Sequence, residues 1–310
     1  MNPAKIDTHQ HFFPKVYVDT VGLETLAAHM PNKRAPDWSP ERAIAMMDAN
    51  GIAEGILSVS AGPQISDAPR LLRACNEAAA DLRACHQGRF GSFASLPLPD
   101  IDASLDEIGY ALDVLDADGF IVFTSYEGRY LGDPSFAPVL QELDRREAVV
   151  FIHPTQPPYP LPPVAPASVL EFPFETARTA TSLIIAGALT AYPNIRFILS
   201  HAGGVLPYLV PRLTLSFSMM QGAIERVGDP AAAFRAFYYD TALSAGPPVF
   251  AALAQVASPE RITFGSDFPM APVPAITAFN AELERLEPGL RSAVYRHNAA
   301  RLLRRPPTPA

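Results

Sequence analysis

Short runs of apolar, β-branched and aromatic residues, each closed by turn-forming residues, recur eight times along the chain. They are IDTHQHF (6–12), GIAEGILSVS (51–60), RFGSFASLPL (89–98), DGFIVFTS (118–125), AVVFIHP (148–154), IRFILSH (195–201), FYYDTALS (237–244) and RITFGSDF (261–268). Helical patterns lie between most of them. SPERAIAMMDANG offers Ser39 as N-cap, Pro40 at the first helical position and Gly51 as terminator. Eight strands alternating with helices over 310 residues predict an α/β fold of the (β/α)8 TIM-barrel type. One barrel domain is expected over residues 1–303. The Pro-rich tail 304–310, which has no apolar anchor after Leu303, is expected to be disordered.

A barrel of this kind gathers its chemistry where strands end. Four of the seven histidines stand there: His9 and His11 close the first strand, His153 the fifth and His201 the sixth. Asp267 closes the eighth. His29, His86 and His297 fall in loop or helix patterns and read as surface or capping residues.

Side chains alternate along a strand, so His9 and His11 point to one side, about 6.6 Å apart along the chain. Two imidazoles aimed inward together can hold one metal ion, and His153 with Asp267 supplies a third imidazole and a carboxylate. An isolated HxH is ordinarily a surface or hydrogen-bonded pair. The placement of all four residues at one predicted rim reverses that reading. Nitrogen and oxygen donors of this kind suit one divalent ion, zinc first and manganese as the alternative. Asp7 is expected one layer deeper, in a structural or ligand-orienting role.

Composition narrows the partners. A net charge of −8 and a pI near 5.4 argue against nucleic acid or an anionic membrane. No apolar run reaches the roughly 18 residues of a membrane span, and no signal peptide is evident. Cys75 and Cys85 share one predicted helix and lie about 15 Å apart, too far to bridge. A reducing, cytoplasmic setting is expected. Proline is abundant, at 33 residues, and concentrated in TQPPYPLPPVAPASVLEFPF, which reads as an ordered loop anchored by Val169, Leu170, Phe172 and Phe174.

The motifs DTHQH, FIHP, SHAGG and FGSDFP, in that order, with HNAARLL near the end, resemble the amidohydrolase superfamily. Within it they are similar to the branch around 2-amino-3-carboxymuconate-6-semialdehyde decarboxylase. DWSPERAIAMMDANGI, YLGDPSFAPVLQELDRREAVVFIHPT, EFPFETARTATSLI and LSHAGGVLPYLVPRL look most like 6-methylsalicylate-decarboxylase-type members. The resemblance covers nearly the whole chain. It implies metal ligation by His9, His11, His153 and Asp267, with His201 beside the metal as an acid–base or water-orienting residue. It also implies that Arg212, eleven residues after His201, reaches a neighbouring subunit's site and holds a substrate carboxylate, so a homodimer or larger homo-oligomer is expected.

Binuclear relatives bridge two metals with a carboxylated lysine at the end of strand four or five. The chain has only Lys5, Lys15 and Lys33, so a mononuclear centre is expected. Three functions compete. They are a non-oxidative decarboxylase of an aromatic (salicylate-type) or unsaturated acid, a hydrolase of a lactone, amide or ester using metal-activated water, and a non-catalytic binding barrel. The His201–Asp267 pair disfavours the third, and the branch resemblance favours the first. Asp267 is the expected proton donor, tuned by His201. Phe174 in the Pro-rich loop and Trp38 are expected to wall off water and stack a small carboxylic acid substrate.

Overall fold

The computed structural model describes residues 4–30, 33–60, 68–160, 162, 164–220 and 222–306. Eight parallel strands follow one another around a ring in chain order: β1 (Lys5–Phe12), β2 (Ile52–Val59), β3 (Phe90–Ser95), β4 (Gly119–Phe123), β5 (Val149–His153), β6 (Arg196–Leu199), β7 (Tyr238–Asp240) and β8 (Ile262–Thr263). Each strand pairs in parallel with the next. Bridges Asp7–Phe264 and Gln10–Phe268 bring β1 back against the segment that follows β8. There the His11 N–H donates to Phe268 O at 2.7 Å and the Asp267 N–H to His9 O at 2.8 Å. This is the expected barrel. The expected eighth strand, 261–268, pairs as a ladder over two residues only, and its remainder turns out of the ring towards the site.

Two cores follow from the pleat. Along β5, Val149 and Phe151 belong to the cluster inside the ring, with Ile6, Ile56, Phe93, Ile121 and Ile198. Val150 and Ile152 belong to the larger cluster between strands and helices. A strand buried on both faces is apolar throughout, which is why VVFI carries no polar residue. The same alternation turns His153 inward above Phe151.

Helices cover the outside. The helix Pro40–Ala49 begins as expected: Ser39 Oγ accepts the Arg42 N–H at 3.3 Å, and the chain leaves through Gly51 at φ 66°. Its Ala43, Met46 and Met47 are buried. Cys75 and Cys85 lie in the helix Ala68–Cys85, the first buried and the second exposed, and neither is bridged. Among the described residues no helix is long and apolar enough to cross a membrane.

Two sequence-based expectations need correction. Arg304 and Arg305 are not frayed: Arg305 pairs with Glu54 and Asp118, each at 2.5 Å, and Arg304 with Glu147 at 2.5 Å. Two carboxylates under the barrel floor hold the chain past Leu303 without any apolar anchor. The remaining tail positions 307–310 lie outside the described residues. In the Pro-rich loop, Val169 is 66 % exposed and Leu170 and Phe174 are each 39 % exposed, so they do not anchor it. The anchors are Phe172, whose ring centroid lies 6.4 Å from that of His153, and Tyr159, whose hydroxyl donates to buried Glu175 at 3.1 Å.

Candidate metal centre and active site

Four side chains from three strand ends meet at the mouth of the ring. Donor atoms of His9, His11, His153 and Asp267 all lie within 4.8 Å of one another, and all four residues are buried. Nε2 of His11 is 3.2 Å from Nε2 of His9 and 3.2 Å from Nε2 of His153. Asp267 Oδ1 is 3.3 Å from both His9 Nε2 and His11 Nε2. Donors about 2.0–2.1 Å from one shared ion would be spaced by about 3.3 Å in tetrahedral geometry. Four of the six edges, at 3.2–3.3 Å, match that spacing, and all donor pairs lie within 4.8 Å.

The other ring nitrogens explain the orientation. His9 Nδ1 is 2.7 Å from Asp240 Oδ2. His11 Nδ1 is 3.1 Å from Ser58 Oγ, and His153 Nδ1 is 2.8 Å from Pro154 O. With all three Nδ1 positions engaged by acceptors, each Nε2 lone pair faces the common centre, the arrangement by which outer partners fix a metal-binding histidine. Asp267 Oδ1 is buried without a hydrogen-bond partner. Lone pairs crowded 3.2 Å apart and an unpartnered carboxylate oxygen are unfavourable by themselves, and a cation among them satisfies all of them. The residues present therefore fit one metal ion.

The electrostatics agree. Burial opposes a charge on His9, but Asp240 and Asp267 outweigh it and raise its pKa to about 10. Burial likewise opposes charge on Asp267, yet His9, His11 and His201 hold its carboxyl well below the usual range. Burial lowers His11, and burial with its histidine neighbours lowers His153 further. The pocket favours positive charge at its centre and disfavours it on the His11 and His153 rings.

Local backbone places these groups. Asp267 and His201 both have left-handed backbone, at φ 58° and 54°. Such conformations in non-glycine residues cost on the order of 1 kcal/mol or more and persist where the surroundings fix them. Here the His201 N–H donates to Asp240 Oδ1 at 2.9 Å. Gly204, at φ 61°, has no room for a side chain: a Cβ would lie 2.1 Å from Pro173 O. A Cβ on Gly265 would lie 2.8 Å from His9 Cβ. Those contacts give the SHAGG and FGSD glycines a steric reason.

His201 stands beside the cluster, with Nε2 3.5 Å from Asp267 Oδ2 and its ring centroid 5.0 Å from that of His9. Asp7 lies below. Its Oδ1 accepts the N–H groups of His9 at 3.1 Å and Ser266 at 3.0 Å, and Oδ2 accepts Gln10 Nε2 at 3.2 Å. Burial raises its carboxyl to about 6. Asp7 thus ties β1 to the segment carrying Asp267, and it does not join the four donors.

The remaining sequence candidates lie elsewhere. Arg212 is exposed on the helix Leu206–Met219 and joins no contact with the cluster. On that helix Leu206 is buried, whereas Tyr208 is 84 %, Leu215 65 % and Met219 80 % exposed. Phe172, not Phe174, meets His153. Trp38 packs edge-on against Phe12 at 5.8 Å. His86 packs on Phe90 at 5.7 Å, His297 Nδ1 is 3.5 Å from Ser292 Oγ, and the His29 side chain lies outside the described residues. Asp240 and Ser58 were missed by sequence reasoning. Their only signal is a polar residue at the end of an apolar strand.

Over the ends of β2 to β5 lies a cleft of about 1070 Å³, lined by Ser60, Ser95, Leu96, Phe123, Tyr126 and Arg129 among others. Phe123 forms part of its wall and lies 6.4 Å from the His153 ring, so the cleft adjoins the metal centre.

Comparison with known proteins agrees with this architecture. A 6-methylsalicylic acid decarboxylase of Aspergillus aculeatus is 39% identical over 97% of this chain and 96% of its own length. One of the same name from Penicillium expansum is 39% identical over 92% of this chain and 90% of its own. Among solved structures, an amidohydrolase II superposes with a TM-score of 0.86 at 30% identity, covering 97% of this chain and 99% of that one. A 2,6-dihydroxybenzoate decarboxylase bound to 2,6-dihydroxybenzoate superposes with a TM-score of 0.77 at 25% identity, covering 97% and 99%. The amidohydrolase family model matches residues 6–305, which span every donor at the mouth of the ring, and the chain belongs to that family.

Proposed function

We propose that the protein is a metal-dependent, non-oxidative decarboxylase that releases CO2 from an aromatic acid of the salicylate type. The observation that carries this reading is a four-donor site for one cation beside a carboxylate–imidazole pair, in a chain 39% identical to proteins named 6-methylsalicylic acid decarboxylases. His9, His11, His153 and Asp267 would hold one divalent ion, zinc or manganese from the nature of the donors, which would supply positive charge to offset that of the substrate carboxylate.

The chain's own residues do the rest. Asp267 Oδ2 and His201 Nε2 face each other at 3.5 Å and deliver a proton to the ring carbon that bears the carboxylate. Protonation there interrupts aromatic conjugation. The bond to the carboxylate then breaks, its electron pair returns to the ring, and CO2 leaves with the hydrogen in its place. Asp240 keeps His9 aimed at the centre and holds the His201 backbone, so one carboxylate aligns both sides of the site. Phe123 and Phe172, each 6.4 Å from His153, give the substrate ring apolar walls that exclude water.

Arg212 serves a second subunit in this reading. With Tyr208, Leu215 and Met219 it forms a stripe at helical spacing, and a cation inside an exposed apolar stripe suits a homodimer contact. Metal analysis of purified protein, followed by a CO2-release assay on a panel of hydroxybenzoates, tests the whole. Release in proportion to bound metal supports a carboxy-lyase. Consumption of lactones or amides with no CO2 from any aromatic acid replaces it with a hydrolase.

A further inference from the structure

The mouth of the barrel carries a second polar group for which the metal chemistry has no use. Ser95 ends β3 two residues after Phe93, whose ring packs inside the barrel 5.8 Å from Phe151. Alternation therefore turns Ser95 to the interior face, the face from which His153 projects on β5. Between them stands β4, where Ser95 is paired with Ile121 and His153 with Phe123, and Ser95 and Phe123 line the same cleft.

The Ser95 backbone is held with unusual firmness. Its N–H donates to Asn76 Oδ1 at 2.8 Å and its carbonyl accepts Asn76 Nδ2 at 3.1 Å. Asn76 Nδ2 also donates to Glu107 Oε1 at 2.7 Å, and Glu107 pairs with Arg73 at 2.7 Å. One helix side chain thus satisfies both main-chain groups of Ser95 and leaves the side chain unengaged. Its Oγ is buried in a residue 3 % exposed and has no hydrogen-bond partner, although the residue lines the cleft beside the metal centre. A buried unsatisfied hydroxyl costs about 1–3 kcal/mol, so its persistence on a preorganised strand end calls for a partner.

We propose that Ser95 is a substrate-contacting, specificity-determining residue. Its hydroxyl hydrogen-bonds a polar ring substituent of the aromatic acid, a hydroxyl group additional to the carboxylate and ortho oxygen of a salicylate-type acid. The inference rests on the proposed function for the orientation of the ring, and it narrows the substrate class to benzoates carrying a further ring oxygen. A site built to bond such a group discriminates against an isosteric methyl, because the protein hydroxyl is then left unpaired.

The test uses binding rather than turnover. Nitro analogues resemble the carboxylate but have no CO2 to lose. Titration calorimetry on the metal-loaded protein compares 2-nitrophenols bearing either a hydroxyl or a methyl group at each remaining ring position, 2-nitroresorcinol and 3-methyl-2-nitrophenol among them. At one position at least, the hydroxyl member should bind about tenfold more tightly than its methyl partner. Ser95→Ala should bring that ratio to within twofold and leave the methyl compounds unchanged. Its melting temperature should equal or exceed that of the parent, since it removes an unsatisfied group. An unchanged hydroxyl-to-methyl ratio in Ser95→Ala overturns the proposal, as does an equal loss for both members of every pair, which marks Ser95 as structural. Neither result depends on CO2 release, which tests the decarboxylase reading separately.

Discussion

Asp240 and His9 are joined at 2.7 Å across 231 positions of sequence, and the same carboxylate holds the His201 N–H at 2.9 Å. One carboxylate therefore sets the tautomer of His9, one of the four donors that fit a metal ion, and fixes the backbone of His201. Asp240→Asn keeps the size and removes the charge. It should weaken metal binding by about 10- to 100-fold and lower kcat in proportion to metal lost, with the fold intact. Metal titration followed by circular dichroism checks this. Unchanged metal affinity would show that His9 needs no such support.

His9→Ala and His153→Ala each remove one of four donors. Both variants should purify as folded barrels with little bound metal, measured by elemental analysis. Full stoichiometric metal in both would dismiss the site as drawn.

Gly204 and Gly265 are steric requirements. Gly265→Ala places a methyl 2.8 Å from His9 Cβ and 3.1 Å from Ala242 Cβ, so it should displace His9 and lower metal affinity. Gly204→Ala combines a backbone clash with an unfavourable φ of 61° and should destabilise by more than about 1 kcal/mol. Chemical denaturation of the two variants separates the effects: the first should lose metal more than stability, the second stability first.

Glu175 offers a pH test remote from the metal. Burial raises its carboxyl above the ordinary glutamate range, against the lowering effect of hydrogen bonds from Tyr130 and Tyr159. The folded protein then holds a proton that the unfolded chain has already released, so this contribution is present below about 4.5 and is lost as pH rises through the folded value. The stability of the parent relative to Glu175→Gln should fall as pH increases from 4.5 towards neutrality. Denaturation curves of both proteins across that range give the difference directly, and a parent that gains on the variant with rising pH would reverse the assignment.

The proposed homodimer predicts that Arg212→Ala either raises KM with the dimer intact or dissociates it with activity lost in proportion. Sedimentation at assay concentration distinguishes the two. A fully active monomer defeats both.

Much of this was legible before any coordinates. The HxH at the end of an apolar first strand, the histidines closing strands five and six and the aspartate closing strand eight are local signals, because a barrel strand end is recognisable by itself. The missing parts were those that depend on what stands opposite. Nothing in FYYDTALS distinguishes Asp240 from a strand-end aspartate facing solvent until β7 is placed beside β6 and across from β1. The Phe172 and Phe174 pair shows the same limit, since helical phase at a loop-to-helix junction decides which ring turns to His153. Arg305 was misread because its anchor is two carboxylates, Glu54 and Asp118, rather than apolar surface.

The central claim is that protonation at the carboxylate-bearing carbon, driven by a metal site of His9, His11, His153 and Asp267, expels CO2. Turnover, in D2O, of the carboxyl-labelled form of whichever hydroxybenzoate in the panel releases CO2 fastest tests it most directly, with CO2 and the aromatic product counted together. The account predicts one deuteron on the former carboxylate-bearing carbon per CO2 released, and loss of both signals when a chelator removes the metal. Undiminished CO2 release after complete removal of the metal, or metal-dependent turnover that leaves the carboxyl label in the product, would contradict it.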